Sequence, residues 1–234
     1  MKKRWPLYLG FFALLLGGYY YFVFTQTGIR QSGLPVINNN LGAFSLTDQF
    51  GRTITERNLE GKVCVAEYFF TTCKGICPKM NTNMRRVYDA FKNEEDFLIL
   101  SHTCMPETDS VPVLKRYAAS VMGGRLAKQE KGDYTLIPDT TGSISIQPGN
   151  WLFLTGDKKT LYGLARHGYI IDNNRQDTTQ RVEDQFIHTQ LFALVDKQSR
   201  VRGVYDGLKE DEVQKLLRHI RELLNEPVTT RELK

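Results

Sequence analysis

The feature that most constrains the fold is the junction between an apolar strand and a helix, which contains two cysteines four residues apart. Residues 63–70 form a nearly continuous apolar run, as expected for a strand that is covered on both faces of a sheet. Cys73 and Cys77 follow this run, and Pro78 comes directly after them. Proline is favoured in the first helical position, and the residue before it is pushed out of the helical region. The sequence therefore predicts a helix from Pro78 onward, with Cys77 at its cap.

The position of the two thiols predicts their chemistry. A thiol at a helix N-terminus faces unpaired N–H groups and the positive end of the helix dipole, which favour the thiolate. Lys74 and Lys79 act in the same direction. Two such thiols can form a disulfide or hold one soft metal ion. A purely stabilising disulfide is the simplest alternative, but a bridge across so short a loop constrains the unfolded chain little. We therefore expect Cys73 and Cys77 to form the functional site.

Strands and helices alternate along most of the chain. The predicted elements are a hairpin (43–47 and 52–55), a strand (63–70), a helix (78–91), a strand (97–100), a helix (111–122), a strand (151–155), a short helix (159–166), a hairpin (191–195 and 200–205) and an amphipathic helix (213–224). This order predicts an α/β sandwich of the thioredoxin type for residues 42–225.

Two polar stretches are longer than such a fold requires. Residues 123–150 form an insertion that we expect to contain its own small hairpin, and residues 172–184 form a loop that runs into His188. Long loops inside a compact domain are typically functional or mobile.

The N-terminus predicts a membrane anchor. Residues 1–4 are basic, and residues 5–24 form a run of 20 without a charge, which is enough to cross a bilayer as a helix. The basic cluster predicts a cytoplasmic N-terminus, followed by a single-pass helix and a tether (25–41). A cleaved signal peptide is the alternative, but its small-residue cleavage site is missing, and no cysteine follows for a lipid anchor. Residues 226–234 are predicted to be a C-terminal tail.

The charge balance excludes one class of partner. The net charge is +5, and Lys2, Lys3 and Arg4 supply three of these charges. The remainder is too small to indicate a nucleic acid as partner, and no basic patch is interleaved with aromatic residues.

The histidines and the remaining cysteines define the other candidate ligands. His188 is the best third ligand, because it stands after a polar loop at the mouth of a strand. His102 follows the strand 97–100, whose C-terminal end should open on the same side as Cys73. Two thiolates and an imidazole suit copper, and the same set is also a partial zinc site. A lone histidine is more often structural than a ligand. Cys64, inside the apolar strand, is expected to be a small buried residue.

Five motifs in a fixed order resemble one family. They are Phe-Phe-Thr-Thr-Cys-Lys-Gly-Ile-Cys-Pro (69–78), Trp-Leu-Phe-Leu-Thr-Gly-Asp (151–157), Phe-Ile-His (186–188), Leu-Val-Asp (194–196) and Arg-Gly-Val-Tyr-Asp-Gly (202–207). Together they look like the Sco/SenC family of copper-binding, membrane-anchored proteins with a thioredoxin fold, over residues 41–224. The resemblance implies that Cys73, Cys77 and His188 bind one copper ion, Cu(I) or Cu(II). It also implies a role in maturing the binuclear copper centre of cytochrome c oxidase.

One segment departs from the family. After Ser101 a stretch such as Val-Asp-Pro is expected, whereas this chain has His-Thr-Cys-Met-Pro (102–106), with Met105 in the usual place of the aspartate. Cys104 and Met105 are soft donors, and with His102 they are auxiliary candidates, either as an extra Cu(I) station or, for Cys104, as a resolving thiol. The simpler alternative, which we favour, is two tolerated loop substitutions.

The predicted function is a membrane-anchored copper chaperone on the periplasmic face of a bacterial inner membrane. The resemblance implies the copper-centre subunit of the oxidase as partner, with other copper chaperones or thioredoxin-like reductants as further partners. A mitochondrial inner membrane is the alternative location, but an arginine- and serine-rich presequence is missing. The alternative function is a thiol–disulfide oxidoreductase, which the fold and the activated thiol favour. The spacing of three residues between the cysteines, instead of two, counts against it, and we do not expect a turnover enzyme. A redox or copper sensor is neither supported nor excluded.

Overall fold

The computed structural model describes residues 4–26, 33–129, 134–141, 146–172 and 189–227 of the chain. His188 and most of the loop before it lie outside these ranges. The strands are β1 (Ser45–Asp48), β2 (Thr53–Thr55), β3 (Val63–Phe69), β4 (Phe97–Thr103), β5 (Arg125–Lys128), β6 (Tyr134–Ile137), β7 (Trp151–Thr155), β8 (Leu191–Val195) and β9 (Val201–Asp206). The helices are α1 (Trp5–Gln26), α2 (Cys77–Phe91), α3 (Val111–Gly123), α4 (Lys158–Gly163) and α5 (Glu210–Leu224).

Seven of the strands form one sheet in the order β2-β1-β7-β4-β3-β8-β9. Its centre is parallel, since β4 pairs in parallel with both β3 and β7, whereas β8 is antiparallel to β3. Every residue of β3 is buried, as expected for a central strand. In the register of β3 and β4, Phe69 lies opposite Thr103. The segments that follow these two strands therefore leave the sheet side by side, at the same edge.

Two apolar clusters cover the two faces of the sheet. On one face, α2, α3 and α5 pack on alternate residues of the central strands, among them Val65, Phe69 and Phe153. On the other face, α4 and its continuation pack on Cys64, Tyr68 and neighbouring residues. Burying a side chain of this size contributes about 1.5–3 kcal/mol. The predicted α/β sandwich is confirmed, and Cys64 is a buried core residue, as expected.

Helix α2 places the cysteine pair. Its buried apolar stripe consists of Met80, Met84, Val87 and Phe91, as the spacing predicts. The helix begins at Cys77, one residue earlier than predicted, and Pro78 is its second residue. Because the stripe lies directly on β3, the first turn of α2 is held against the C-terminal edge of the sheet.

Two elements differ from their predicted extents, and a third forms as predicted. Strand β4 continues to Thr103, three residues beyond the apolar run, because its polar side chains find buried partners. Helix α4 widens into a π-helix at Leu164–Gly168, and the N–H of Tyr169 donates to the Leu164 carbonyl at 2.7 Å. The insertion does contain a hairpin, since β5 and β6 pair antiparallel and β6 packs against α2.

The N-terminal part of the chain contains a helix, as predicted, and a segment that is folded onto the domain. Residues Trp5–Gln26 are helical. Within the described ranges, no helix has both the length and the apolar character that crossing a membrane requires. Part of the predicted tether is folded, because Asn38 bridges to Val201 and Leu41 is buried. At the other end, Glu226 is buried and ion-paired with Arg202. The folded domain thus extends beyond both predicted boundaries.

Candidate metal centre

The two predicted thiols lie together at the edge of the sheet. Strand β3 ends at Phe69, and the chain turns through Cys73, whose N–H donates to the Phe70 carbonyl at 3.2 Å. The turn delivers Cys77 to the first position of α2. Both thiols are free, and they are close enough to share a hydrogen bond. The strand–turn–helix junction predicted from the sequence is therefore present, with both sulfur atoms on it.

The electrostatics of Cys77 differ from the expectation. Its side chain is only 4% exposed, whereas Cys73 is half-buried. Burial raises the pKa of the Cys77 thiol well above its ordinary value, and the hydrogen bond with Cys73 raises it further, although the N–H of Phe70 lowers it. The prediction of a thiolate at this position is wrong for the metal-free protein, because desolvation outweighs the helix dipole. A cation held between the thiols would replace the proton and compensate the buried charge, which suits a soft metal ion.

A buried carboxylate fixes the loop that carries Cys73. Asp109 is 1% exposed, and it accepts hydrogen bonds from the Thr71 hydroxyl at 2.6 Å and the Thr71 N–H at 3.2 Å. The hydroxyl of Thr103, at the end of β4, donates to the same carboxylate. Asp109 therefore ties together the two segments that leave the sheet at the site. Asp109 was not among the predicted site residues, although an aspartate just before a helix start is a recognisable signal.

A small pocket opens beside the cysteine pair. It is lined by Tyr68, Phe69, Phe70, Ile76, Cys77, Cys104 and Thr189. Thr189 directly follows His188, so the chain re-enters the described structure at this pocket. His188 itself lies outside the described residues, and its predicted role stays a prediction. Among the residues whose positions are described, no three histidine, cysteine, aspartate or glutamate side chains are grouped so that they could hold a metal ion.

The auxiliary candidates are separated by the structure. Cys104 lines the pocket, and its pKa is raised well above the ordinary value by burial and further by the nearby charges of Asp109 and Cys73. Met105 is half-buried and packs against the apolar cluster on the face of the sheet opposite α2. Cys104 belongs to the same apolar cluster, and it also lines the pocket beside Cys77, whereas Met105 is not among the residues of that pocket.

His102 is a core residue. It is fully buried, its ring stacks on Tyr68 with centroids 5.0 Å apart, and its Nε2 lies 3.1 Å from the Tyr169 hydroxyl. Burial lowers its pKa to about 3, so the imidazole is neutral at ordinary pH. The expectation that it faces the cysteine pair is wrong, because β4 continues through it and directs the ring to the opposite side of the sheet from α2.

A second buried carboxyl lies below the pair. Glu67 is 1% exposed, and its Oε1 accepts a hydrogen bond from the Ser101 hydroxyl at 2.7 Å. The Trp151 indole N–H donates to the same hydroxyl at 2.9 Å. Burial raises the pKa of Glu67 to about 7, and its charge acts on Cys77. Glu67 was not among the predicted site residues, although a lone acid within an apolar strand is a usable signal.

The fold and the site together define a class of protein. A thioredoxin-type α/β sandwich with two free thiols at a strand–helix junction is typical of proteins that exchange disulfides or bind soft metal ions. Residues 37–225 match the family model described as SCO1/SenC, and the chain belongs to that family.

Individual relatives agree with this assignment. The SCO1 protein homolog of Bacillus subtilis is 28% identical over 177 residues, which cover 74% of this chain and 77% of the relative. Among solved structures, that of BsSco, described as a Sco-family cytochrome c oxidase assembly protein with a disulfide switch, matches with a TM-score of 0.60 and 24% identity, over 83% of this chain and 98% of that one. Copper-bound ScoI of Bradyrhizobium japonicum matches with a TM-score of 0.53 and 20% identity, over 78% and 98%. At these identities the likeness to the structures shows the shared fold.

Proposed function

We propose that this chain binds one copper ion, Cu(I) or Cu(II), through Cys73, Cys77 and His188 and supplies it to the assembly of cytochrome c oxidase. The observation that carries the proposal is the pair of free thiols at the strand–helix junction of a chain of the SCO1/SenC family. Solved relatives with the same fold hold copper. The position of Thr189 in the pocket supports His188 as the third ligand, because it is the next residue in the chain.

The donor set suits copper as a cargo. Two thiolates are soft ligands that favour Cu(I), and an imidazole can complete the coordination of either oxidation state. The buried position of Cys77 favours the metal-bound form over the free thiolate, because the cation cancels the charge that burial penalises. The half-buried Cys73 leaves one ligand within reach of a docking partner.

Release of the cargo can be coupled to oxidation of the pair. A disulfide on the acceptor protein accepts two electrons from the Cys73 and Cys77 thiolates, whose own S–S bond forms while the acceptor's bond breaks. The copper ion loses its two thiolate ligands here and meets two new thiolates on the acceptor. The proposed acceptor is the copper-centre subunit of the oxidase. Thioredoxin-like reductants would reduce the Cys73–Cys77 disulfide by thiol–disulfide exchange, and other copper chaperones would reload the reduced pair.

The proposal includes attachment to a membrane with the folded domain on the periplasmic side of a bacterial inner membrane. Its support is the uncharged run of residues 5–24 behind a basic N-terminus. Helix α1 also carries exposed large apolar side chains, among them Trp5, Phe11 and Leu14. A shared membrane would bring the domain and an oxidase subunit to the same surface.

Copper stoichiometry of the reduced full chain tests the site. We expect one copper per wild-type chain and loss of that copper in Cys73→Ala, Cys77→Ala and His188→Ala. The matched controls are Cys64→Ala, a buried thiol away from the pocket, and His167→Ala, in the π-helical turn. Both should keep the copper. Full retention of copper in Cys73→Ala would contradict the proposed ligand set.

A second candidate function is thiol–disulfide exchange on envelope cysteines. The observation that favours it is the contrast between the half-buried Cys73 and the buried Cys77, which suits an attacking and a resolving thiol. His188→Ala separates the two functions, because it should remove copper binding and leave reduction of a test disulfide intact. A wild-type chain that reduces the test disulfide and binds no copper would favour the exchange function.

A further inference from the structure

Cys104 is a third thiol at the site, and the proposed copper chemistry does not use it. Its backbone is fixed on both sides, since its N–H donates to the Phe69 carbonyl at 2.8 Å and its carbonyl accepts from the Tyr162 hydroxyl at 3.0 Å. The first contact joins it to the last residue of β3, just before the loop that carries Cys73. The backbone of Cys104 is therefore held in place beside the loop that carries Cys73.

Cys104 and Cys77 line one small, largely apolar pocket. Both line the same pocket, and their side chains are 3% and 4% exposed. The volume of the cavity is only about 10 Å³, which is roughly room for one water molecule. Aromatic and aliphatic side chains form most of the remaining walls, among them Phe70 and Ile76.

We propose that oxidation of the site ends in a disulfide between Cys77 and Cys104, reached by exchange from a disulfide between Cys73 and Cys77. In this step the Cys104 sulfur attacks the Cys77 sulfur. The Cys77–Cys104 bond forms as the Cys73–Cys77 bond breaks, and Cys73 leaves with the electron pair. The proton lost by Cys104 passes to Cys73 or to water. One disulfide is present before and after, so the exchange requires no further oxidant.

Burial favours the disulfide between Cys77 and Cys104 over the disulfide between Cys73 and Cys77. A disulfide is uncharged and suits the apolar pocket, whereas a thiolate is penalised there. The exchange leaves its free sulfur on Cys73, the one thiol of the three that is half-buried and so in reach of water. The two-thiol copper site is then dismantled, because Cys77 is bonded to Cys104, while Cys73 stays available for a partner. The inference rests on the proposed function only in that the cysteine pair undergoes oxidation.

Disulfide mapping tests this two-step relay, in which a Cys73–Cys77 disulfide forms first and then converts to a Cys77–Cys104 disulfide. Trypsin separates the thiols, since Cys73, Cys77 and Cys104 fall on peptides 63–74, 75–79 and 93–115. Cys64 shares the first peptide, so the map is made on the full chain with Cys64→Ala. The reduced protein is oxidised with glutathione disulfide, and free thiols are then blocked with N-ethylmaleimide in denaturant. We expect an early link between 63–74 and 75–79 that converts to a link between 75–79 and 93–115, with Cys73 alkylated. A final map that still joins 63–74 to 75–79, with Cys104 alkylated, overturns the proposal.

Two variants test the order of the steps. Cys73→Ser removes the entry thiol, and it should slow formation of the 75–79 to 93–115 link on the order of tenfold, because the buried thiols meet the oxidant poorly. An unchanged rate overturns the relay. Cys104→Val keeps the volume of the side chain, and it should stop at the 63–74 to 75–79 link, which shows that the fold and the first oxidation are intact.

Copper binding by the reduced wild-type chain is measured beside the map. A relay without copper binding refutes the copper proposal alone, and copper binding without the relay refutes the relay alone.

Discussion

The hydroxyl of Thr71 donates a hydrogen bond of 2.6 Å to the buried carboxylate of Asp109, across 38 positions of the chain. The same carboxylate accepts from the Thr103 hydroxyl, which in turn accepts from the N–H of Met105 at 2.9 Å. The loop that ends at Cys73 and the loop that begins at Cys104 are thus fixed to one side chain. The relative position of the thiols therefore depends on Asp109, although Asp109 is not one of the proposed copper ligands.

Asp109→Ala is expected to lower the free energy of unfolding by about 1–3 kcal/mol, because the Thr71 and Thr103 donors lose their buried acceptor. The affinity of the reduced chain for Cu(I) should fall in the same variant, since Thr71 lies two residues before Cys73. Urea denaturation and chelator competition measure the two effects. Asp211→Ala, at an exposed position of α5, is the control and should change stability by about 0.5 kcal/mol or less. Equal stability of the two variants would contradict the role of Asp109.

Glu67→Gln is expected to gain stability over the wild type as the pH rises. Burial raises the pKa of Glu67 from 4.5 to about 7, so its contribution is fully present below pH 4.5 and is lost as the pH passes through 7. The neutral glutamine can still accept from Ser101 and does not ionise. The free-energy difference between variant and wild type should therefore grow by about 3 kcal/mol over this window. Urea denaturation at both ends of the window measures it, and a constant difference would contradict a buried, titrating Glu67.

Sequence patterns predicted the parts of this molecule in which apolar spacing and local chemistry agree. The run that became β3 and the stripe on α2 bury their apolar residues as expected, and proline places the start of the helix to within one residue. The site follows from the same signals, because Cys73 and Cys77 lie where strand and helix meet.

The errors arose where polar groups are buried by long-range partners. Strand β4 runs on through Ser101 and His102, whose hydrogen-bond partners Glu67 and Tyr169 are far away in sequence. The segment before Leu41 was predicted to be a tether because it contains glycine, proline and a run of asparagines. Its Asn38 side chain, however, donates to the His167 carbonyl at 2.8 Å and so docks the segment on the domain. Hydropathy contains no signal for such contacts.

The wild type is expected to lose stability in mild acid because of His102, and the variant His102→Phe should not show this loss. The folded-state pKa of His102 is about 3, below the ordinary value of 6.5, so its contribution is present above pH 6.5 and is lost as the pH falls toward 3. Each pH unit below 6.5 should cost the wild type about 1.4 kcal/mol relative to the variant. Phenylalanine retains the stack on Tyr68 but loses the contact with the Tyr169 hydroxyl. Urea denaturation from neutral to about pH 5 gives the slopes, and parallel slopes would show that His102 does not titrate on unfolding.

Arg202→Met is expected to destabilise the fold by about 1–3 kcal/mol, because Asp196 and Glu226 each lose a buried, charged hydrogen-bond donor, although Asp196 keeps its pair with Arg200. The Arg202 guanidinium is 5% exposed, and it pairs with Asp196 at 2.8 Å and with Glu226 at 3.1 Å. It also donates to the Leu34 carbonyl at 2.7 Å, so hydrogen exchange should accelerate at residues 34–38. Arg218→Met, exposed on α5, is the control. Denaturation measures the loss of stability, and hydrogen exchange measures the release of residues 34–38. Both should change in the same variant, because Arg202 joins the N-terminal segment to Glu226. Faster exchange without lost stability would mean that the ion pairs contribute little to the fold.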